Sequence, residues 1–242
     1  LWICQIYGNR SKGIMRKVSK RFKKLVEASK NKKAEPIEDV VKKIKNNCTA
    51  KFDESIDLSL KLNLKQKKEE VTLRTVVNLP NGNGKKIKIA VLCEEGKIKE
   101  AKDSGADLVG SENLVNDITS GKINFDKLIA TPAMMSKMGK LGKILGPKGL
   151  MPNPKLGTVT NDLKKIVKSL KEGQIEIKND KDGNLAASIG KKSFPDNKII
   201  ENFNAFIQTI QKEKPSGLKG NFILSSFLTS TMGISYKVNL KA

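Results

Sequence analysis

The residue types that most often carry enzyme chemistry are scarce in this chain. Histidine is absent, so the side chain that most often transfers protons near neutral pH and most often ligates zinc is missing. The three cysteines, Cys4, Cys48 and Cys93, are odd in number and widely spaced, which gives neither a disulfide framework nor a metal-ligand pair. We therefore expect no catalytic centre, no metal and no cofactor, and the cysteine usage indicates a reducing compartment.

Two segments resemble nucleotide-binding sequences only superficially. A predicted strand at 87–93 runs into Glu94 and Glu95, whose negative charges would repel a pyrophosphate at the place where a dinucleotide fold needs glycines. The stretch 138–160, MGKLGKILGPKGLMPNPKLGTVT, is rich in glycine but lacks the Gly-Lys-Ser/Thr of a phosphate loop. The sequence therefore disfavours a nucleotide-binding enzyme of Rossmann type, which stays as an alternative interpretation.

The overall charge points to a polyanionic partner. The 242 residues contain 47 Lys and Arg against 25 Asp and Glu, which gives a formal net charge of +22. A field of this size attracts nucleic acid or an anionic membrane. Only four of the 47 cations are arginine, and lysine suits attraction to phosphate better than bidentate recognition of base edges. Sequence-specific recognition of duplex DNA is thus disfavoured.

Two further patterns bear on the partner. Apolar runs such as 89–93 are much shorter than the ~20 residues of a membrane-spanning helix, so we expect no membrane-embedded segment. Residues 16–33 contain many lysines and arginines and a single acid, Glu27. This segment is either a solvated tail or a basic arm that binds RNA phosphates, and charge alone leaves both interpretations open.

The two ends of the chain combine amphipathic helices with strands of alternating polarity. From Ile56 to Leu64 every second residue is apolar, which predicts a half-buried antiparallel strand. The same reasoning predicts a helix after Pro36, a strand from Thr75 to Pro80, strands at 173–180 and 183–190 paired as a hairpin around the turn 180–183, a helix at 195–214, and strands at 221–230 and 234–240.

The middle of the chain follows a different rhythm. Short strands predicted at 87–93, 106–110 and 125–131 alternate with helices at 94–105 and 111–121. Such alternation implies right-handed crossovers and a parallel, doubly wound sheet. A further helix is predicted to be capped by Asn161 and to end at Gly173, whereas 138–160 is predicted as a Gly/Pro-rich loop that neither contributes to a core nor remains helical.

These patterns predict an α/β protein with two domains. Residues 15–81 and 174–242 would form a discontinuous α+β domain with an antiparallel sheet. Residues 82–173 would form an inserted Rossmann-like domain of three layers, joined to the first by a two-stranded hinge. Residues 1–14 would be a flexible extension before Met15.

The amino-acid sequences of several segments resemble those of one protein family. The segment LGKILGPKGLMPNPKLGTV at 141–159 is similar to the signature of the L-one family of large-subunit ribosomal proteins, in its bacterial and organellar form. Further blocks resemble the same family in the same order, namely TAKFDES at 49–55, GADLVG at 105–110, NDKDG at 179–183, KKSF at 191–194 and TSTMG at 229–233. The resemblance covers residues 15 to 240.

The resemblance implies a function. Members of the family are non-enzymatic constituents of the large ribosomal subunit, and they bind the ribosomal RNA of a mobile stalk near the tRNA exit site. They assist the release of deacylated exit-site tRNA, and in bacteria they also repress translation by binding the leader of their own mRNA. We accordingly expect a protein that is monomeric when free, located in the bacterial cytoplasm or, alternatively, in a plastid or other organelle ribosome. In this family the stretch 138–160 would position the inserted domain, with accessory contact to RNA or tRNA.

The resemblance also implies a set of RNA-binding residues on the domain built from both ends. They are Lys51, Phe52, Asp180, Lys181, Ser225, Thr231, Met232 and Gly233. The lysines would meet phosphates, the hydroxyls of Ser225 and Thr231 would pair with 2′-hydroxyl groups, and Phe52 and Met232 would offer apolar faces to sugars or bases. Asp180 would bond a hydroxyl or orient a lysine, and Gly233 would let RNA approach closely. From spacing alone, Phe52 and Met232 would belong to the core and Gly233 to a simple turn.

Overall fold

The structure is a computed structural model, and it describes residues 19–28, 34–63, 73–121, 123–215 and 220–240. Contacts divide the chain into two compact units. The first unit takes the chain up to Gly84 and again from Ile177 onward, and the second takes Lys85–Glu176. The predicted extension 1–14, the end of the alternating strand at Leu64 and parts of the basic segment 16–33 lie outside the described residues.

The predicted strands and helices occur in the predicted order, and three further helices, at 20–28, 135–138 and 142–145, were not predicted. The helices are α1 (Lys20–Ala28), α2 (Ile37–Asn47), α3 (Ile98–Asp103), α4 (Glu112–Thr119), α5 (Met135–Met138), α6 (Gly142–Leu145), α7 (Leu163–Glu172) and α8 (Asp196–Lys212). The strands are β1 (Ser55–Leu62), β2 (Arg74–Asn78), β3 (Ile89–Leu92), β4 (Leu108–Gly110), β5 (Lys127–Ala130), β6 (Gln174–Lys178), β7 (Asn184–Lys191), β8 (Ile223–Ser230) and β9 (Ser235–Val238).

A four-stranded antiparallel sheet in the order β7-β1-β8-β9 forms the centre of the first unit. Burial alternates along β1, because successive side chains point to opposite faces of the sheet. One face of the sheet carries the core, where Ile56, Leu58 and Leu60 have no exposed surface. Helices α2 and α8 contact each other and the strands of this sheet, and they bury apolar stripes that include Ile44 and Phe206.

The predicted hairpin of β6 and β7 is wrong. The turn between them exists, since the Gly183 N–H donates to the Asp180 carbonyl at 2.9 Å. Beyond it the two strands diverge into different sheets, because β7 pairs with β1 while β6 pairs with β2 in a separate two-stranded sheet. The backbone N–H of Leu62 in β1 donates to the Gly183 carbonyl at 2.8 Å, so the turn is hydrogen-bonded to β1.

The second unit is built on a parallel sheet in the order β4-β3-β5. All four residues of β3 are buried, as expected for a parallel strand covered on both faces. On one face Ile89 and Val91 pack with Val167 of α7, and on the other Leu92 and Leu128 pack in a second apolar cluster. The antiparallel sheet from both ends and the parallel sheet in the middle confirm the predicted α/β class.

Two local predictions in the second unit are wrong. The stretch 138–160 contributes to the core, because α5, α6 and the short 3₁₀ turns between them bury Met138, Leu141 and Leu145 in the apolar cluster beside β5. The predicted cap at Asn161 is displaced by one residue. The N-cap position of α7 is Asp162, whose side chain makes no capping bond, and the Asn161 side-chain oxygen instead accepts from the Lys97 ammonium at 3.2 Å.

The predicted end of α7 is confirmed. Gly173 follows the last helical residue with φ 113°, a left-handed conformation that favours glycine. In the part of the chain that the structure describes, no helix is both long enough and apolar enough to cross a membrane.

Candidate nucleic-acid interface

The predicted RNA-binding residues fall into two clusters at opposite ends of the four-stranded sheet. The first cluster consists of Lys51, Phe52, Thr231, Met232 and Gly233, beside the start of β1. The second cluster consists of Asp180, Lys181 and Ser225, beside its end. Ser55 is bonded to Thr231 in the first cluster, whereas Lys61 pairs with Ser225 in the second. Ser55 and Lys61 are six residues apart along β1, which corresponds to about 20 Å.

Thr231 connects the turn after β8 to the start of β1. Its backbone N–H donates to the Ser55 carbonyl at 3.1 Å, and its Oγ1 accepts from the Ser55 N–H at 3.0 Å. The same hydroxyl lies 3.3 Å from the Ser55 carbonyl as a donor. The Thr231 hydroxyl is therefore used within the protein, which leaves it one lone pair for a partner.

The buried side chain of Glu54 connects the 50–54 segment to the turn after β8. It is only 1% exposed, yet its carboxylate accepts from the Ala50 N–H at 3.0 Å and from the Met232 N–H at 3.2 Å. Burial raises the pKa of Glu54, but hydrogen bonds from Ala50, Ser230 and Met232 outweigh it, with help from the charge of Arg21, and the pKa lies below its ordinary value of 4.5. The carboxylate is thus ionised at neutral pH and fully engaged.

Arg21 holds the turn from the other side. From α1, its guanidinium donates to the Met232 carbonyl at 3.2 Å and to the Thr49 hydroxyl at 2.9 Å. Because Glu54 accepts from the N–H of the same residue, both backbone polar groups of Met232 are fixed by side chains that are distant in sequence. The turn is therefore held in one conformation before any partner arrives.

The apolar members of the first cluster face outward. Phe52 is 53% exposed and Met232 is 47% exposed, so neither belongs to the core. A single large apolar side chain with about half its surface in water is ordinary, but two on one small surface indicate contact with a partner. Lys51 is exposed beside Phe52, which adds positive charge to the same place.

The loop that carries Lys51 and Phe52 is anchored by the predicted block 191–194. The Asp53 carboxylate accepts from the Ser193 hydroxyl at 2.8 Å and from its backbone N–H at 3.1 Å. The Lys192 ammonium donates to the Cys48 carbonyl at 2.9 Å, and the Lys192 N–H donates to the Glu54 carbonyl at 2.8 Å. Two blocks that lie 140 residues apart in sequence are thus neighbours in the fold.

The second cluster is a turn joined to a strand position. The Asp180 carboxylate accepts from the N–H of Lys181 at 2.8 Å, so it shapes the turn. Gly183 closes this turn with φ 75°. Asp180 and Lys181 are exposed, and Ser225 lies half-buried on the face of β8 opposite the core.

A polar strip on this outer face joins the two clusters. Along β1 the half-buried residues after Ser55 are Asp57, Ser59 and Lys61, and they pair in register with Thr229, Phe227 and Ser225 of β8. With the exception of Phe227 these side chains are small or polar, which is typical of a surface that meets water or a hydrophilic partner.

Sequence reasoning missed the residues that position the first cluster. Arg21, Glu54 and Ser230 were not predicted as site residues, although all three bind or contact the turn at Met232 and Gly233. Glu54 lies inside the block 49–55 and Arg21 is one of only four arginines, so these were the available signals. Neither the motif at 49–55 nor the rarity of arginine indicates that the Glu54 carboxylate is buried.

The described residues contain no group of three or more carboxylates, cysteines or histidines that could hold a metal ion. Cys48 and Cys93 are free and buried, and burial raises the pKa of both thiols, so they are neutral.

The chain has one unit made from both of its ends, an inserted parallel α/β unit and a net charge of +22. These features define a basic two-unit α/β protein of the kind that binds nucleic acid.

Comparison with known proteins gives the family. The sequence profile of the Ribosomal protein L1p/L10e family matches residues 41–234, and the chain belongs to this family. The large ribosomal subunit protein uL1 of Pelagibacter ubique is 59% identical over 223 residues, which cover 92% of this chain and 97% of the relative. The uL1 protein of Rickettsia akari is 47% identical over 221 residues, which cover 90% and 92%.

Family membership confirms the resemblance seen in the sequence. It also confirms that the chain is a ribosomal protein that acts in translation and not an enzyme. Both of these relatives are bacterial proteins.

Proposed function

We propose that this chain is a constituent of the large ribosomal subunit that binds the ribosomal RNA of the mobile stalk near the tRNA exit site, and that it assists the release of deacylated tRNA. The RNA-binding surface is the first cluster, the second cluster and the polar strip between them. The observation that carries this proposal is the pairing of two half-exposed apolar side chains, Phe52 in the loop before β1 and Met232 on a turn whose backbone is fixed.

The chemistry of the first cluster suits structured RNA. Phe52 and Met232 offer apolar faces to bases or sugars, and stacking of a base on an aromatic side chain contributes about 1–3 kcal/mol. Lys51 supplies charge for a phosphate, and the remaining lone pair of Thr231 can accept from a 2′-hydroxyl. A fixed surface of this kind selects an RNA shape because it cannot adapt to others.

The spacing of the two clusters sets the size of the RNA. Contacts about 20 Å apart cannot fall on one nucleotide, so the ligand is a folded RNA that reaches from Met232 to Lys181. The half-buried polar residues of β1 and β8 lie along the path between them. Phosphate contacts at both ends would hold such an RNA in a single orientation.

The same surface supports a second role as a translational repressor. A rigid surface accepts any RNA that presents the same shape, and the leader of the protein's own mRNA is the second ligand proposed. Binding of the leader at the two clusters would exclude the stalk RNA. We assign this RNA-binding role to residues 15–81 and 174–242, and we assign to the inserted residues 82–173 an accessory contact with RNA or tRNA through the stretch 138–160.

Crosslinking in assembled ribosomes tests the proposal directly. Photoreactive groups placed at Lys51 and at Met232 should react with the same short region of stalk RNA, and a group at Lys181 should react with nucleotides displaced along the same RNA. A matched group at Lys99, an exposed lysine of the second unit, controls for random surface labelling. Crosslinks from Lys51 and Met232 to unrelated RNA regions would contradict the proposal.

A further inference from the structure

The buried carboxylate of Glu54 lies directly behind the first cluster. It is the one acid that the structure describes as almost wholly buried in this chain, and it lies on the side of the molecule proposed to meet a polyanion. Burying an ionised carboxylate costs several kcal/mol unless hydrogen bonds compensate. A buried negative charge beside an RNA-binding surface is unfavourable for RNA attraction, so its position needs a reason.

We propose that Glu54 is the positioning residue of the RNA-binding surface, which holds the Lys51–Phe52 loop and the Met232 turn together as one preformed surface. The inference rests on the proposed function of that surface. Its two carboxylate oxygens accept from Ala50 on one side and from Met232 on the other. Two segments of the chain are therefore joined through a single side chain.

The hydrogen bonds around Glu54 explain why one residue has this effect. Its Oε1 fixes the start of the loop that carries Lys51, and its Oε2 fixes the N–H of Met232. Without the carboxylate, the Met232 N–H would be left without this acceptor and the loop would lose one of its bonds to the body of the unit. RNA binding would then have to order both segments, which lowers affinity.

The direction in which Glu54→Gln changes RNA affinity distinguishes a positioning role of Glu54 from a purely electrostatic effect of its charge. Glu54→Gln removes one negative charge near the RNA, and on electrostatic grounds alone this change would raise RNA affinity. If Glu54 positions the surface, the same change lowers affinity, because the glutamine amide group presents N–H donors where an acceptor is needed. The two explanations therefore predict opposite directions for one variant.

The experiment compares full-length wild type with Glu54→Gln and with Glu38→Gln as the matched control. Glu38 lies exposed in the first turn of α2, so its substitution makes the same change of charge at a residue that makes none of the bonds around Glu54. We expect a loss of affinity for stalk RNA of roughly ten- to hundredfold for Glu54→Gln and an unchanged or higher affinity for Glu38→Gln. Unchanged or higher affinity for Glu54→Gln would overturn the proposal.

Two readouts distinguish positioning from loss of fold and from loss of an RNA contact. In the RNA-free protein, hydrogen exchange at the Met232 amide should accelerate in Glu54→Gln while the core amides of β1 stay protected. The slope of log affinity against log salt should stay at its wild-type value, since no phosphate contact is removed. A flattened slope, or a Met232 amide that exchanges at the wild-type rate, would overturn the proposal.

A conservative variant covers the case in which Glu54→Gln fails to fold. Glu54→Asp keeps the charge but is one methylene shorter, so it cannot reach both N–H groups and should show an intermediate loss of affinity. Wild-type affinity for Glu54→Asp would refute the positioning role. Failure of the proposed function would look different, because wild type itself would then show no preference for stalk RNA while the Met232 amide still responded to the Glu54 variants.

Discussion

The Oγ atom of Ser230 lies 2.3 Å from the position that a Cβ atom would take at Gly233. The glycine is therefore required by the protein itself, in addition to any close approach of RNA. The backbone at Gly233 does not adopt a left-handed conformation, since its φ is not positive. The obstacle is steric, and it comes from a serine whose side chain is hydrogen-bonded to Glu54.

Gly233→Ala should destabilise the protein in the absence of RNA. The new methyl group must displace the Ser230 hydroxyl, and overpacking of this kind typically costs about 1–3 kcal/mol. Chemical denaturation of the RNA-free protein measures the loss. In a Ser230→Ala background the same substitution should cost clearly less, because the colliding Oγ is gone. Equal costs in both backgrounds would show that the collision is not the reason for the glycine.

Phe52→Ala and Met232→Ala should weaken RNA binding with little effect on stability. Both side chains are about half exposed, so their removal leaves no cavity. Loss of an aromatic stacking partner at Phe52 costs about 1–3 kcal/mol of binding free energy, and loss of the apolar face of Met232 should also weaken binding. Equilibrium binding to stalk RNA and thermal unfolding measure the two effects separately. Leu108→Ala is a control, because it removes a 37%-exposed apolar side chain from the second unit. Comparable loss of RNA affinity in that control would argue against a localised surface.

The fold could be predicted from the sequence wherever one local pattern decides an element. Alternation along β1 and the buried run of β3 identified these strands because each pattern reports burial directly. A local pattern does not predict which other strand a given strand pairs with. The Asp180–Gly183 turn looks like a hairpin turn, but pairing depends on β1 and β2, which lie over 100 residues earlier. Composition also misjudged 138–160, where buried side chains at helical spacing outweigh the glycines.

The candidate site was predictable only in part for a related reason. Exposed residues such as Phe52 and Met232 could be proposed from the family motifs that contain them. Glu54 and Arg21 act through hydrogen bonds to backbone groups that are far away in sequence, and no local pattern records such bonds. The separation of the eight predicted residues into two clusters likewise follows from the register of β1 against β8.

Lys51→Ala and Lys181→Ala should each flatten the salt dependence of RNA binding. Each removed phosphate contact lowers the slope of log affinity against log salt by about 0.7–0.9. The double variant should show the sum, because the clusters lie too far apart to share one phosphate. Lys99→Ala, in the second unit, should leave the slope for stalk RNA unchanged. The slope is measured from binding titrations at several salt concentrations, and a single lysine that removes the whole dependence would contradict two separate contacts.

Asp57→Asn should stabilise the protein at neutral pH. Burial raises the pKa of Asp57 above its ordinary value of 3.8, although a hydrogen bond to Ser188 opposes the shift. A raised folded-state pKa means that the ionised carboxylate destabilises the fold, and this cost disappears as pH falls below the folded pKa. The gain from asparagine should therefore be present at pH 7 and vanish in acid below about pH 4. Urea denaturation at both pH values checks this, and a gain independent of pH would point to a cause other than ionisation.

Leu145→Ala should destabilise the second unit while leaving the affinity for stalk RNA unchanged. Leu145 is fully buried in the apolar cluster beside β5, and truncation of such a leucine typically costs about 2–5 kcal/mol. If the RNA-binding surface belongs to the first unit alone, this loss should not reach it. Hydrogen exchange followed amide by amide should show faster opening of β3 and β5 with β1 unaffected. Leu58→Ala, an equally buried leucine of the first unit, should reverse the pattern and also reduce RNA binding, and equal effects of the two variants on RNA affinity would show that the units do not act independently.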